Sequence, residues 1–253
     1  MNLYRADLHV HTVLSPCAEV EMIPPLIVQT ALEQGLNLIA ITDHNASANA
    51  AAVMQAARGS GLSVLPGMEA QSREDAHLLC LFETLEGLQA WQRQVDEALP
   101  NLPNRPEYFG EQFVVDAGGE FLRREERLLL TALSLTVDEI FERVRGLGGL
   151  VIPAHVERPA NGLMATLGLV SPAWEAEAFE LSRRTSPAQA RQQFPALQNY
   201  PLLQNGDVHS LEQFLGSTFF ELQDPGLTEI RLALAGQQGR RFWVQSVDNV
   251  HPL

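Results

Sequence analysis

Residues 3–11 read LYRADLHVH, an apolar run of strand character that ends on two histidines. Residues two apart on a β-strand project from the same face, so the imidazoles of His9 and His11 reach toward one point. Apolar runs that end on polar side chains recur along the chain. The positions where strands end therefore carry most of the information in this sequence.

Nine short apolar runs predict β-strands, and longer stretches of helical period lie between them. The predicted strands are residues 3–10, 36–42, 62–66, 77–82, 150–153, 176–181, 201–204, 218–222 and 242–245. Predicted helices include residues 23–34, 46–58 and 137–147, the last with a capping box from Thr136 and Glu139. Repeated strand–helix units predict an α/β fold with a mostly parallel sheet, open or closed into a barrel. We expect a single domain over residues 1–253.

Residues 100–131 interrupt this alternation with Pro, Gly, Asn and charged residues. We interpret them as an insertion or elaborated loop, with a small hairpin around residues 113–115 and 121. A structureless loop of this length is uncommon, which favours a functional lid. The alternative is a surface excursion that covers one edge of the barrel.

Composition excludes several classes of protein. The chain has no run of 18 apolar residues, so no membrane span is predicted, and its first residues lack the apolar core of a signal peptide. Two cysteines are too few for a disulfide scaffold in 253 residues. We therefore expect a cytoplasmic protein with no membrane partner.

The net charge is −14, from 17 basic and 31 acidic residues, and every basic residue is arginine. A nucleic-acid groove needs clustered positive charge, so we expect no duplex nucleic acid as a partner. Small phosphorylated molecules or nucleotide ends remain compatible, because bound divalent cations reverse the local field of a site.

Histidines end the predicted strands more often than a structural role requires. Five do so, and Glu69 and Asp207 accompany them; the five are His9, His11, His44, His155 and His209. The carboxyl ends of parallel strands converge on one face, so these side chains should meet at one mouth. His77 starts its strand and reaches the mouth only if that strand runs antiparallel, as a hairpin with the Glu69 segment allows. Imidazoles with carboxylates predict a multinuclear Zn, Mn or Fe site.

Five separated motifs resemble those of the PHP (polymerase and histidinol phosphatase) family. They are DLHVH at 7–11, ITDHN at 41–45, GMEAQ at 67–71 followed by His77, PAH at 153–155, and NGDVHS at 205–210. The segments PEYFGEQFVVD at 106–116 and ERLL at 126–129 are similar to those of a stand-alone subgroup of phosphoesterases. The resemblance implies a distorted (β/α)7 barrel with two or three metal ions at the carboxyl-terminal mouth of its strands.

The resemblance also implies ligand roles. His9, His11 and Asp207 would hold a first metal, and Glu69 would bridge it to a second. His77 and His155 would complete the second site, and His44 and His209 would hold a third metal.

The chain departs from the family pattern after the His-x-His pair. Many members place an Asp or His there, whereas this chain has Ser15-Pro16-Cys17. Glu19, Glu21 or the Cys17 thiolate would substitute, and we prefer Glu21 because Glu-Met-x-Pro recurs in the resembling subgroup. Acidic residues at this point also favour a helix N-terminus without binding metal.

The implied reaction is hydrolysis of a phosphate ester, in a small metabolite or nucleotide, by a metal-bridged hydroxide. Glu69, Asp207 and His209 would be the catalytic residues, with His209 or a bound water protonating the leaving oxygen. Substrate contacts are assigned to three arginines, since a guanidinium fork matches phosphate geometry; they are Arg158, Arg183 and Arg184. The alternative for these arginines is solvated surface charge.

Two other classes of function stay open. An amidohydrolase-type metal hydrolase also begins its barrel with His-x-His, but most binuclear members bridge their metals through a carboxylated lysine. This chain has no lysine, so Glu69 would have to take that role. The second alternative is a non-catalytic metal-binding or regulatory module, against which the near-complete ligand set argues.

Overall fold

A computed structural model describes residues 1–245 of the chain. The strands are β1 Asn2–Val10, β2 Leu38–Ile41, β3 Ser63–Gln71, β4 His77–Leu81, β5 Phe113–Val115, β6 Phe121–Arg124, β7 Leu150–Pro153, β8 Phe179–Leu181, β9 Leu202–Gln204, β10 Thr218–Leu222 and β11 Arg241–Val244. The helices are α1 Pro24–Glu33, α2 Ala50–Ala56, α3 Leu85–Ala98, α4 Pro106–Phe109, α5 Val137–Gly146, α6 Leu163–Thr166, α7 Pro187–Gln193 and α8 Leu227–Leu234. Each predicted strand overlaps an observed one.

The main sheet has seven strands in the order β11-β10-β1-β2-β3-β4-β7, in which β1, β2 and β3 are parallel. β8 and β9 form a separate parallel pair. This pair lies between β7 and β11, the two edge strands of the main sheet. After β9, Val208 exchanges backbone hydrogen bonds with His9 and His11, at 3.0 and 2.9 Å. On the other side, Val156 N–H donates to the carbonyl of Glu180 at 3.0 Å. The fold is therefore the expected distorted α/β barrel.

Strand β4 is reversed relative to its neighbours. It pairs antiparallel with β3, with His77 opposite Gln71, and antiparallel with β7. The start of β4 thus lies beside the end of β3, which also carries Glu69. This hairpin brings His77 to the mouth, as the sequence analysis requires.

The core has two layers, which follow from the alternation of side chains along each strand. Small and branched residues from successive strands fill the barrel, among them Leu8, Ala40, Leu79, Ile152 and Leu203. The opposite faces pack under the helices. Helix α5 shows why such helices form: Thr136 and Glu139 make the predicted capping box, and one face at helical spacing is buried.

The segment over residues 100–131 contains α4 and the antiparallel hairpin β5–β6, so the predicted hairpin is confirmed. The segment packs on the loop that follows β1. Phe113 N–H donates to the carbonyl of Val13 at 3.0 Å. Gly110 has a φ of 99°, and a Cβ there would lie 2.0 Å from the carbonyl oxygen of Pro16. Leu130 lines the central cavity, and the role of a lid stays a prediction.

Across residues 1–245, no helix has the length and apolar character needed to cross a membrane.

Candidate metal centre

Histidines and carboxylates on or next to six strands meet at the carboxyl-terminal mouth of the barrel. A cavity of about 1020 Å3 opens there, and His44, Glu69, His77, His155, Asp207 and His209 lie in its lining. His9 and His11 lie beneath, with no exposure to solvent. The structure thus brings together eight of the nine residues for which we predict metal binding.

Glu69 lies at the middle of this cluster. Its Oε1 is 2.8 Å from His77 Nδ1 and 3.2 Å from both His155 Nε2 and His9 Nε2. Its Oε2 is 2.9 Å from His44 Nδ1. His11 Nε2 lies 3.5 Å from Oε2 as well, so a single carboxylate faces five imidazoles, which is compatible with the predicted bridging role.

Asp207 faces the two histidines of β1. Its Oδ1 lies 3.2 Å from His9 Nε2 and 3.3 Å from His11 Nε2, and these two nitrogens are 3.1 Å apart. Ligand atoms that share one ion at bonds of about 2.1 Å lie roughly 3.4 Å apart in a tetrahedral site. The spacing of these donors fits a shared metal ion.

The electrostatics of the cluster also favour a cation. Burial lowers the pKa of His9, but the carboxylates of Glu180, Glu69 and Asp207 outweigh burial and hold it well above the usual value. Burial raises the pKa of Glu69, and the surrounding imidazoles outweigh burial and hold it well below the usual value. His155 Nδ1 is buried without a hydrogen bond among the described residues, while His155 Nε2 faces Glu69. Closely spaced imidazole nitrogens and carboxylate oxygens are the donors that Zn, Mn and Fe bind, so the residues fit a metal centre.

Glu180 supports the cluster and was missed by the sequence analysis. Its carboxylate accepts hydrogen bonds from His9 Nδ1 at 3.0 Å, from the Asn205 amide at 2.9 Å and from His155 N–H at 3.2 Å. It is fully buried on β8. The available signal was a carboxylate in the apolar run AFEL, where its burial requires polar partners.

Two further buried aspartates hold the loops that carry ligands. Asp43 accepts from Thr12 N–H and from the Ser15 hydroxyl, both at 2.7 Å, and Ser15 Oγ lies 3.0 Å from His11 Nδ1. Asp7 accepts from the backbone of Gly206 at 3.0 Å, next to Asp207. Hydrogen bonds of this kind fix the orientation of metal ligands.

The backbone is strained at two proposed ligands. His155 has a φ of 29° and Asp207 a φ of 51°, both outside the conformations that most side chains prefer. At Gly206 a Cβ would lie 2.5 Å from the carbonyl oxygen of Gln213 and 2.8 Å from Asp7 Oδ2. Backbone strain of this kind clusters at functional sites, where surrounding contacts maintain it.

The structure does not bring Glu21 to the cluster. Its side chain is exposed and lines a separate surface cavity together with Glu19 and Gly110. The chain turns after Pro16, so that Cys17 faces the mouth instead. Burial raises the pKa of the Cys17 thiol, but contacts with His209 and His44 outweigh it and lower the pKa to about 7. Cys17, and not Glu21, is the residue beside the proposed third site.

All three arginines assigned to the substrate line the central cavity. Arg158 Nη1 lies 2.6 Å from Asp207 Oδ2, and its side chain is 38% exposed. Arg183 donates to the carbonyl of Gln213. Their location agrees with the sequence analysis, while contact with a substrate stays a prediction.

Comparison with known proteins places this centre in context. A family model for the PHP domain matches residues 7–137, just over half of the chain. The uncharacterized protein YqxK of Bacillus subtilis is 33% identical over 124 residues, which cover 46% of this chain and 30% of YqxK. A putative metal-dependent phosphoesterase of Bifidobacterium adolescentis has a similar fold, with a TM-score of 0.55, 20% identity, and coverage of 81% of this chain and 87% of its own.

Endonuclease Q, a lesion-specific endonuclease of Pyrococcus furiosus, also shares the fold. Its structure superposes with a TM-score of 0.75 at 24% identity, covering 95% of this chain and 58% of the endonuclease. A second structure, of endonuclease Q in complex with a 27-mer duplex substrate with an abasic lesion at the active site, gives a TM-score of 0.71 at 23% identity, with the same coverage. This chain spans less than two thirds of YqxK and of endonuclease Q.

The second of these structures overturns our exclusion of duplex nucleic acid. A protein that contains this fold binds a duplex substrate, so the fold is compatible with such a partner. The exclusion was wrong because net charge describes the whole chain, whereas binding of a substrate depends on the charges around the mouth of the barrel. Three arginines line the mouth here, and bound cations would add positive charge.

The buried ligand cluster and the match over residues 7–137 together support a metal-dependent hydrolase, and the chain belongs to the PHP domain family.

Proposed function

We propose that this protein hydrolyses phosphate esters with two or three divalent cations held at the mouth of the barrel. The observation that carries the proposal is the position of the ligand cluster, buried at the floor of a cavity whose wall carries three arginines. Carboxylates and imidazoles below and guanidinium groups above suit an anionic substrate that bridges them.

The contacts suggest how the ligands divide. His9, His11 and Asp207 share one set of close donor atoms, and Glu69 joins this set to His77 and His155 through Oε1. Divalent cations at these positions would neutralise phosphoryl oxygens and lower the pKa of water, and Zn, Mn and Fe accept this N/O donor set.

Arg158 is the arginine best placed to orient a substrate. Its guanidinium already reaches Asp207, one of the proposed ligands, so its remaining N–H groups lie near the reacting phosphate. Arg183 and Arg184 lie further along the same wall and would bind the flanking part of the substrate.

His209 is the residue that we assign to the leaving-group proton when the third site is empty. Its Nδ1 donates to the carbonyl of Asp207 at 3.0 Å, which leaves Nε2 for proton transfer. Burial lowers the pKa of His209, but the Cys17 and Asp207 side chains outweigh it and raise the pKa. The imidazole therefore holds a proton that a leaving oxygen can accept.

Phosphate esters of nucleic acid and of small molecules both carry the chemistry that this centre recognises. A substrate panel in the presence of Mn, Zn or Fe tests the proposal. The panel contains a phosphomonoester, a small phosphodiester, single-stranded DNA, and 27-mer DNA duplexes with or without an abasic lesion. We expect metal-dependent release of phosphate or strand cleavage for at least one member.

Two outcomes would contradict this function. Turnover of cyclic amides without any phosphate-ester hydrolysis would indicate an amidohydrolase. Full metal loading with no turnover of phosphate esters or of cyclic amides would indicate a non-catalytic metal-binding module. Chelator-treated protein is the matched control, because its activity should return only when metal is added.

A further inference from the structure

The loop after β1 presents a sulfur donor to the mouth of the barrel. Cys17 is exposed and lines the central cavity together with His44 and His209. His11, His44 and His209 already offer three ligand atoms within 4.8 Å of one another. The thiol therefore lies beside a cluster with metal-ligand spacing.

A second feature points to a cation at this position. Glu69 Oε2, on a side chain that is 1% exposed, lies 2.9 Å from His44 Nδ1 and 3.5 Å from His11 Nε2, two members of this histidine cluster. A buried carboxylate is costly unless positive charge meets it, and a metal ion shared with these imidazoles would supply that charge.

The other polar residues of this loop are not free to serve as ligands. The Ser15 hydroxyl bonds to Asp43 Oδ1 and His11 Nδ1, at 2.7 and 3.0 Å. Glu19 and Glu21 face a different surface cavity. Among the loop residues before α1, Cys17 is the one that lines the central cavity together with His44 and His209.

The backbone holds Cys17 in place from two sides. Glu19 N–H donates to the carbonyl of His209 at 2.8 Å, which fixes the spacing between the two loops. On the outer side, Gly110 packs on the Pro16 carbonyl so closely that any side chain there would clash. A donor set held this way is preorganised, as a metal site requires.

We propose that Cys17 is a thiolate ligand of a third metal, together with His44 and His209, and that this site prefers zinc to manganese. On binding, a sulfur–metal bond forms and the thiol proton is released to solvent. Thiolate sulfur favours zinc, whereas manganese favours carboxylate and water oxygen. The assignment rests on the proposed metal centre, but it specifies the chemistry of one site and not the reaction.

Cobalt substitution tests the ligand directly. Co(II) bound to a thiolate absorbs in the near ultraviolet through sulfur-to-metal charge transfer, which oxygen and nitrogen ligands do not produce. We expect this band in the full chain loaded with cobalt, its loss in Cys17→Ala, and its retention in Cys80→Ala. Cys80 is the matched control, because it is buried on β4 away from the cavity lining.

Metal content and selectivity give a second readout. Cys17→Ala should weaken binding of the third zinc by about 10- to 100-fold or more. Loss of a group that only hydrogen-bonds to a metal ligand already costs this much affinity. Cys17→Asp should restore a third ion, shift preference toward manganese and still lack the charge-transfer band.

Two results would overturn the assignment: no such band in the wild-type chain at full cobalt loading, or a band that persists in Cys17→Ala. Absence of phosphate-ester hydrolysis with the band present would reject the proposed function and leave the ligand assignment standing. Circular dichroism of each variant shows whether the fold survives.

Discussion

His9 Nδ1 lies 3.0 Å from Glu180 Oε1, and neither side chain has any exposure to solvent. This bond fixes which nitrogen of His9 faces Glu69 and Asp207. When a metal ion displaces the second proton, an imidazole that donates from Nδ1 presents Nε2 as the ligand atom. Glu180 therefore positions His9 for the proposed first site.

Replacing Glu180 tests this positioning. Glu180→Gln keeps the shape but removes the charge that stabilises the Nδ1 proton, so metal affinity should fall by about 10- to 100-fold. Chelator competition measures the affinity, and exposed Glu212→Gln is the control. Unchanged affinity in Glu180→Gln would show that the bond is only structural.

Glu69→Gln should remove the proposed bridge between the first two metals. The amide keeps the side-chain volume but lacks the charge that attracts the cations, so bound metal and hydrolysis should both be lost. Elemental analysis and turnover measure the two effects. Exposed Glu97→Gln, on α3, should leave both unchanged. Wild-type metal content and turnover in Glu69→Gln would refute the bridging role.

Arg158→Ala removes the guanidinium that reaches Asp207 Oδ2 at 2.6 Å. A charge-assisted hydrogen bond contributes about 1.5–3 kcal/mol, so kcat/KM for a phosphate ester should fall roughly 10- to 100-fold. Arg158→Lys should recover only part of this loss, because lysine lacks the planar fork. Exposed Arg93→Ala is the control. Wild-type kinetics in Arg158→Ala would move the substrate contact to Arg183 or Arg184.

Gly206→Ala should displace the loop that carries Asp207. The added Cβ would meet Asp7 Oδ2 and the Gln213 carbonyl at 2.8 and 2.5 Å, both closer than van der Waals contact allows. We expect loss of metal binding by calorimetric titration. Gly146→Ala is the matched control, since a Cβ there meets no atom within 4 Å. Normal binding in Gly206→Ala would show that the loop adjusts.

Thr136→Ala tests the capping box of α5, away from the metal centre. Loss of the cap should lower the free energy of unfolding by about 1 kcal/mol, within roughly 0.5–2. Urea denaturation measures the change, and Thr136→Ser should stay close to wild type because it keeps the hydroxyl. An unaltered midpoint in Thr136→Ala would indicate that tertiary packing alone holds this end of the helix.

The strands, and the proposed ligands at their ends, were predictable from the sequence. A buried strand must be apolar, so it stands out as a short apolar run. Each strand is a short apolar run, and most of the proposed ligands lie at or just after the end of such a run. The position of His77 was also predictable, since a strand that begins with a ligand must run opposite to its neighbour.

What escaped prediction depends on contacts between distant segments. The partner of Glu180 lies on β1, 171 residues away, so nothing near Glu180 in sequence indicates its role. The choice between Glu21 and Cys17 depends on how the loop turns after Pro16, which residue types alone do not reveal. Net charge misled for a similar reason, because it carries no information on where the charges lie.

The bond between Gly206 and Asp7 joins residues 199 positions apart, and it has a consequence for synthesis of the chain. Translation delivers His9, His11, His44, Glu69 and His77 before the remaining proposed ligands, which are His155, Asp207 and His209. A domain generally folds as a unit during synthesis, so the barrel closes only after the segment around Asp207 has emerged from the ribosome. An ion that meets the first group on a nascent chain finds no Asp207 to close its site, so it can exchange freely. Translation order thus delays the commitment to a particular metal until most of the barrel has been made.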